Sequence, residues 1–223
     1  MRNGTPPQTT AVLFTDLVGS TELASRLGEA AYDDVRRSHF AALRRAVDEA
    51  GGQQVKGTGD GILAVFGSAV AAIDCSVAMQ QAVDLGAREA VPLEVRVGVA
   101  LGDVCFEEGD VYGTAVVEAA RLVAAAQGGQ ILTTALVRAV AGSRCSAAFT
   151  ELGTLELRGL PEPVAAYEVS WDPLPTPTLP LPPLLNRSGR IFVGRDEEWR
   201  DLMRCWDEAC AGSLRAVIVA GEP

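Results

Sequence analysis

Nowhere in the 223 residues does an apolar run approach the roughly 18 to 20 residues that a bilayer-crossing helix needs, which excludes a helical membrane span. Positive charge is also short: 19 Lys and Arg against 29 Asp and Glu leave a formal charge of -10. Nucleic acids and anionic membranes are held by basic surfaces that displace counterions, so broad binding of either by this segment is excluded. Cysteines are few and scattered (Cys75, Cys105, Cys145, Cys205, Cys210), with no close spacing of the kind that builds a zinc site or a secreted disulfide framework. Reduced thiols are the expectation. The single histidine, His39, shares a helical face with Val35, Leu43 and Val47 and reads as a packed structural group. The opening Met1-Arg2-Asn3-Gly4-Thr5-Pro6-Pro7 lacks a secretory apolar core, which predicts a cytoplasmic location.

What is present is material for one full domain and a smaller piece, 48% of it hydrophobic. Prolines crowd the stretch Trp171 to Pro183 and deny it both helix and central strand, so residues 171–190 read as an extended linker. Before it, periodicity predicts a strand near 11–15, helices near 20–28 and 31–50, a hairpin near 53–66, a helix near 69–87 and a strand near 93–101. A turn at Glu107-Glu108-Gly109-Asp110, helices near 114–126 and 134–140, and strands at 130–132 and up to Val169 follow. The order βαββαβ points to an α+β, ferredoxin-like core with added helices and strands.

Chemistry concentrates at two places. In Val55-Lys56-Gly57-Thr58-Gly59-Asp60-Gly61-Ile62 a lysine stands four residues before an aspartate inside a glycine-punctuated turn between apolar runs. Earlier, the strand Ala11-Val12-Leu13-Phe14 ends in Thr15-Asp16 and hands over to a helix through Gly19-Ser20-Thr21. Free N–H groups at that helix start suit a triphosphate, while Ser20 or Thr21 could also act as a plain N-cap. Asp is equally a common cap and turn residue, yet two such aspartates beside a phosphate-friendly loop suggest a metal and nucleotide site.

Five separated motifs in order resemble the class III nucleotidyl cyclase family over residues 9–170: Leu13 to Thr21, Lys56 to Gly61, Arg96 to Val104, Gly109-Asp110-Val111-Tyr112-Gly113, and Ala119-Ala120-Arg121-Leu122. The resemblance implies that Asp16, Asp60 and the Leu17 carbonyl hold two Mg2+ or Mn2+ ions. It implies further that Gly19, Ser20, Thr21 and Arg158 bind the triphosphate, that Lys56 and Asp110 read adenine rather than guanine, and that Arg121 stabilises the transferring phosphate. ATP would become 3',5'-cyclic AMP and pyrophosphate. It also implies a head-to-tail homodimer with shared sites, Asp16, Lys56 and Asp60 of one subunit facing Asp110, Arg121 and Arg158 of the other.

Two positions depart from the family pattern. Val117 stands where many cyclases keep a ribose-orienting asparagine, and valine neither donates nor accepts a hydrogen bond. Glu118 stands where an apolar residue is usual. These departures keep a second reading open, a nucleotide-responsive dimerisation module of a signalling or transcriptional regulator with weak or lost turnover. Beyond the linker, Phe192-Val193-Gly194-Arg195-Asp196-Glu197 resembles the opening box of AAA and STAND-type ATPases. A strand is expected at 216–220, running into Gly221-Glu222-Pro223 as toward a Walker A loop. Residues 191–223 thus read as the beginning of an ATPase region, as in cyclase-containing bacterial transcriptional regulators, and hold no complete P-loop.

Overall fold

The chain starts with β1 (Gln8–Leu17), whose alternating side chains serve two layers at once. Ala11 and Leu13 point to one face of a sheet and Val12 to the other. In this computed structural model residues 6–57, 59–89, 91–175, 196–210 and 212–217 are described. The chain divides into two units, Met1–Pro175 and Thr176–Pro223.

In the first unit β1 is followed by α1 (Ser20–Leu27), α2 (Glu29–Glu49), the hairpin β2 (Gln53–Gly57) and β3 (Ile62–Phe66), α3 (Ala69–Glu89) and β4 (Val95–Glu107). Then come β5 (Asp110–Tyr112), α4 (Thr114–Ala125), β6 (Ile131–Thr134), α5 (Ala135–Ala141), β7 (Phe149–Leu155) and β8 (Val164–Val169). Strand order is β2-β3-β1-β4-β6-β8-β7, with β5 paired to β4. Antiparallel pairing of β2, β3, β1 and β4 in that order is the expected βαββαβ core. β6 then joins β4 in parallel after the α4 crossover.

α2 and α3 cover the face carrying Leu13, Ile62 and Phe66, burying Phe40, Leu43, Val47, Ile73 and Met79. Each such side chain, removed from water, stabilises the fold by about 1.5–3 kcal/mol. His39 is 5% exposed in this layer, as its periodicity predicts, and its Nε2 has no hydrogen-bond partner among the described residues. On the opposite face α4 packs Ala115 and Ala119 against Val12, Leu63 and Ala100. The helix sits close because Gly98 of β4 has no side chain: a Cβ there would lie 2.4 Å from the Ala119 carbonyl oxygen.

β4 outruns its predicted end at residue 101 and continues to Glu107, because its second half pairs with β5 across the Glu108-Gly109 turn. Both turn residues have left-handed backbones, φ 53° and 82°. After β8, the Trp171 indole donates to the Gly129 carbonyl at 2.8 Å and Gln81 donates to the Asp172 carbonyl at 2.9 Å, so the first residues of the proline-rich stretch lie on this unit. The remainder of that stretch, residues 176–190, lies outside the described residues, as do Phe192 to Arg195 of the ATPase-like box.

In the second unit α6 (Asp196–Cys210) carries Trp199, Leu202, Met203 and Trp206 exposed along one stripe. Ala216 and Val217, the described part of the strand expected at 216–220, form no strand. No described helix is long and apolar enough to cross a membrane.

Candidate active site

Glycine 61 allows the β2–β3 turn to lie directly on the end of β1. A Cβ at this position would stand 1.8 Å from the Thr15 carbonyl oxygen, a separation no side chain can meet. Two hydrogen bonds fasten the contact: Leu17 N–H donates to the Asp60 carbonyl at 3.2 Å, and Ile62 N–H donates to Thr15 Oγ1 at 3.0 Å. Asp16 and Asp60, 44 residues apart in sequence, thereby come from touching segments.

Among the described residues, each of these carboxylates has one protein partner. Asp16 Oδ2 accepts from Arg96 Nη2, whose residue stands directly opposite it in the β1–β4 register. Asp60 Oδ2 accepts from the Ser20 hydroxyl. α1 is entered through Gly19 in a left-handed conformation, φ 63°, and no side chain caps it. Ser20 and Thr21 are thus not N-caps, and the amides of the first turn remain open to a ligand.

A bulge places Lys56. Pairing of β2 with β3 shifts register between Gln54 and Lys56, so that Lys56 stands opposite Leu63. Residues directly opposite share a face, and Leu63 faces α4. The slip of one residue therefore turns Lys56 toward the α4 side, where its ammonium meets Asp110 Oδ2 of β5. The Lys56 hydrogen bond, assisted by the Val111 N–H at 2.8 Å, holds the Asp110 carboxyl below the usual carboxylate range. Lys56 and Asp110, expected to face each other from different subunits, thus form a pair within one chain.

Arg121 lies exposed on α4, one helical turn from Val117 and beside the loop before β8. A Cβ on Gly159, the residue after Arg158, would lie 3.9 Å from Arg121 Nη2. Among the described residues no hydrogen bond or ion pair joins Asp16 or Asp60 to Lys56, Asp110, Arg121 or Arg158. The carboxylates and the Lys56–Asp110 pair form two half-sites, each held by its own contacts.

The sequence family of adenylate and guanylate cyclase catalytic domains matches residues 4–170. The chain belongs to this family. An adenylate cyclase from Glutamicibacter nicotianae is 30% identical over 168 residues, covering 75% of this chain and 41% of that protein. The crystal structure of an adenylate/guanylate cyclase/hydrolase from Silicibacter pomeroyi is 31% identical, with a TM-score of 0.69 over 76% of this chain and all of that one. The adenylyl cyclase CyaB of P. aeruginosa, 24% identical, has the same fold, with a TM-score of 0.68 over 74% of this chain and 96% of its own. The chain spans 28% to 42% of the length of the first curated relatives it matches.

Within this cyclase domain, sequence reading missed Arg96 as a site residue. Its motif was legible, but its contact with Asp16 depends on cross-strand register. The two departures also have a location. Val117 is 39% exposed, an apolar side chain at the surface of α4. Glu118 lines a cavity of about 350 Å³ with Thr114, Leu136, Glu162 and Val164, and burial raises its carboxyl above the ordinary value.

Proposed function

We propose that this cyclase domain is an adenylyl cyclase, converting ATP to 3',5'-cyclic AMP and pyrophosphate at sites completed by a second copy of the chain. The observation that carries the reading is the Lys56–Asp110 pair on the α4 face. A lysine donor is complementary to adenine N1 and an aspartate acceptor to the exocyclic amine, so the base would replace the partner that each side chain now holds.

The other half-site fits Mg2+ or Mn2+ in its donor chemistry: the Asp16 and Asp60 carboxylates and the Leu17 carbonyl are hard oxygen ligands. Among the described residues there is no cluster of three or more His, Cys, Asp or Glu. A small protein donor set suits an ion that also takes substrate phosphate oxygens and water. When bound, two such ions would increase the nucleophilicity of the ribose 3'-hydroxyl and neutralise charge on the departing pyrophosphate.

The chain's own groups supply binding and charge. The open amides of Ser20 and Thr21 in the α1 first turn offer hydrogen bonds to phosphate, in the field of a helix N-terminus. Arg158 adds a cation for the triphosphate. Arg121, fixed charge on a rigid helix, is suited to the charge that grows on the transferring phosphate. In the dimer of this reading, Asp16 and Asp60 of one copy face Lys56, Asp110 and Arg121 of the other.

A second reading, a nucleotide-responsive dimerisation module, is favoured by one observation: the apolar Val117 on the surface of α4, where a ribose contact is needed. Loss of one orienting donor costs about a hundred-fold in rate by analogy with other single-donor losses, which slows turnover without abolishing it. The deciding experiment is cyclic AMP production from ATP and Mn2+ over a range of protein concentrations, beside Asp60→Ala. Product rising faster than linearly with protein and vanishing in the variant supports the cyclase. Metal-dependent ATP binding without product supports the module.

A further inference from the structure

Ser20 does something that neither a helix cap nor a phosphate-binding amide accounts for. The residue is 9% exposed and its hydroxyl is spent on Asp60 Oδ2. The Asp60 backbone is separately tied, its carbonyl accepting from Leu17 N–H at 3.2 Å. With main chain and one carboxylate oxygen both held, rotation of the carboxylate is restrained. Oδ1 of Asp60 has no other hydrogen-bond partner among the described residues.

We propose that Ser20 is a positioning residue that holds Asp60 with one oxygen engaged and the other presented to a divalent cation. The inference rests on the reading of Asp60 as a metal ligand. Its physical basis is the behaviour of ligating carboxylates generally, whose second oxygen is hydrogen-bonded so that the first keeps its direction. The two aspartates are handled differently. Arg96 brings a full positive charge to Asp16, which opposes a cation at that carboxylate as well as orienting it. Ser20 brings a neutral dipole, which orients Asp60 and leaves its negative charge in place. Of the two carboxylates, Asp60 is the one prepared for a cation before substrate arrives.

Side-chain substitution separates this role from phosphate binding, because Ser20→Ala keeps the backbone N–H and removes only the hydroxyl. The test uses the full chain and Mn2+ alone, with free ion counted by electron paramagnetic resonance, for wild type, Ser20→Ala, Ser20→Thr and Asp60→Ala. Ser20→Ala is expected to weaken Mn2+ binding about ten-fold, the lower end of the usual outer-shell effect, with Ser20→Thr close to wild type. In turnover the same variant raises the Mn2+ concentration for half-maximal rate while the KM for ATP at saturating Mn2+ stays put. Wild-type Mn2+ affinity in Ser20→Ala, together with lost binding in Asp60→Ala, overturns the positioning role and leaves the metal reading standing. Equal binding by wild type and Asp60→Ala overturns both.

Discussion

At the scale of single residues, His39 is strongly perturbed by burial, and its effect on stability has a definite sign. Burial lowers its pKa from 6.5 to about 4. The unfolded chain takes up a proton as pH falls through about 6.5, whereas the folded chain does not until about 4, so stability is complete above that window and declines within it. The loss reaches about 3 kcal/mol, at 1.36 kcal/mol per pK unit. Carboxylates add their own acid sensitivity, so the measurement is a difference. Urea midpoints at pH 7 and pH 4.5 should fall further for wild type than for His39→Leu, by about 2 kcal/mol in free energy. Equal falls in the two proteins would mean that His39 is protonated without cost. This residue was legible beforehand because helical periodicity alone sets its face. Lys56 was legible only in part: its place beside Asp60 is written in the turn motif, but its pairing with Asp110 is made by a bulge, and a bulge is decided by the register of two strands.

At the scale of elements, the βαββαβ order could be read from the chain because local periods of 2 and 3.6 mark each strand and helix, and glycines such as Gly51 punctuate them. What could not be read is set by pairing at a distance. β4 runs past residue 101 because β5 folds back on it, and Arg96 meets Asp16 because β1 and β4 align those two positions. The junction of the β2–β3 turn with β1 belongs to the same class, and it gives a sharp test. Gly61→Ala puts a methyl into the Thr15 carbonyl, and backbone lies on both sides of the clash, so the turn must move away from β1. Overpacking of this kind costs about 1–3 kcal/mol, and Asp60 moves away with the turn. Gly57→Ala is the control, since the nearest atom to its Cβ is 3.9 Å away. Gly61→Ala should lower Tm and cyclic AMP production together, with Gly57→Ala close to wild type in both. Wild-type Tm and activity in Gly61→Ala would show that the turn tolerates displacement without harm to the site.

At the scale of the whole molecule the question is whether one copy of residues 1–175 suffices. Among the described residues no hydrogen bond or ion pair joins the carboxylates at the end of β1 to Lys56, Asp110 or Arg121, and the proposed site takes these two groups from two copies. A two-fold dimer built this way contains two equivalent sites, each taking Asp16 and Asp60 from one subunit and Arg121 from the other. On the proposed reading Asp16→Ala would inactivate by removing a carboxylate, and Arg121→Ala by removing the cation, so each homodimer of a variant would have two defective sites. Mixed in equal amounts and allowed to exchange, half of the dimers contain one of each. In such a dimer one site combines the intact carboxylates of the Arg121→Ala chain with the intact arginine of the Asp16→Ala chain, while the other site carries both lesions. The mixture should therefore recover about a quarter of wild-type cyclic AMP production, since half the dimers hold one good site out of two. Recovery requires contact between chains, so it should fall on dilution faster than protein concentration does. If the mixture stays as inactive as its components while wild type is active under the same conditions, the two groups act within one chain, and the separation between them closes when nucleotide binds.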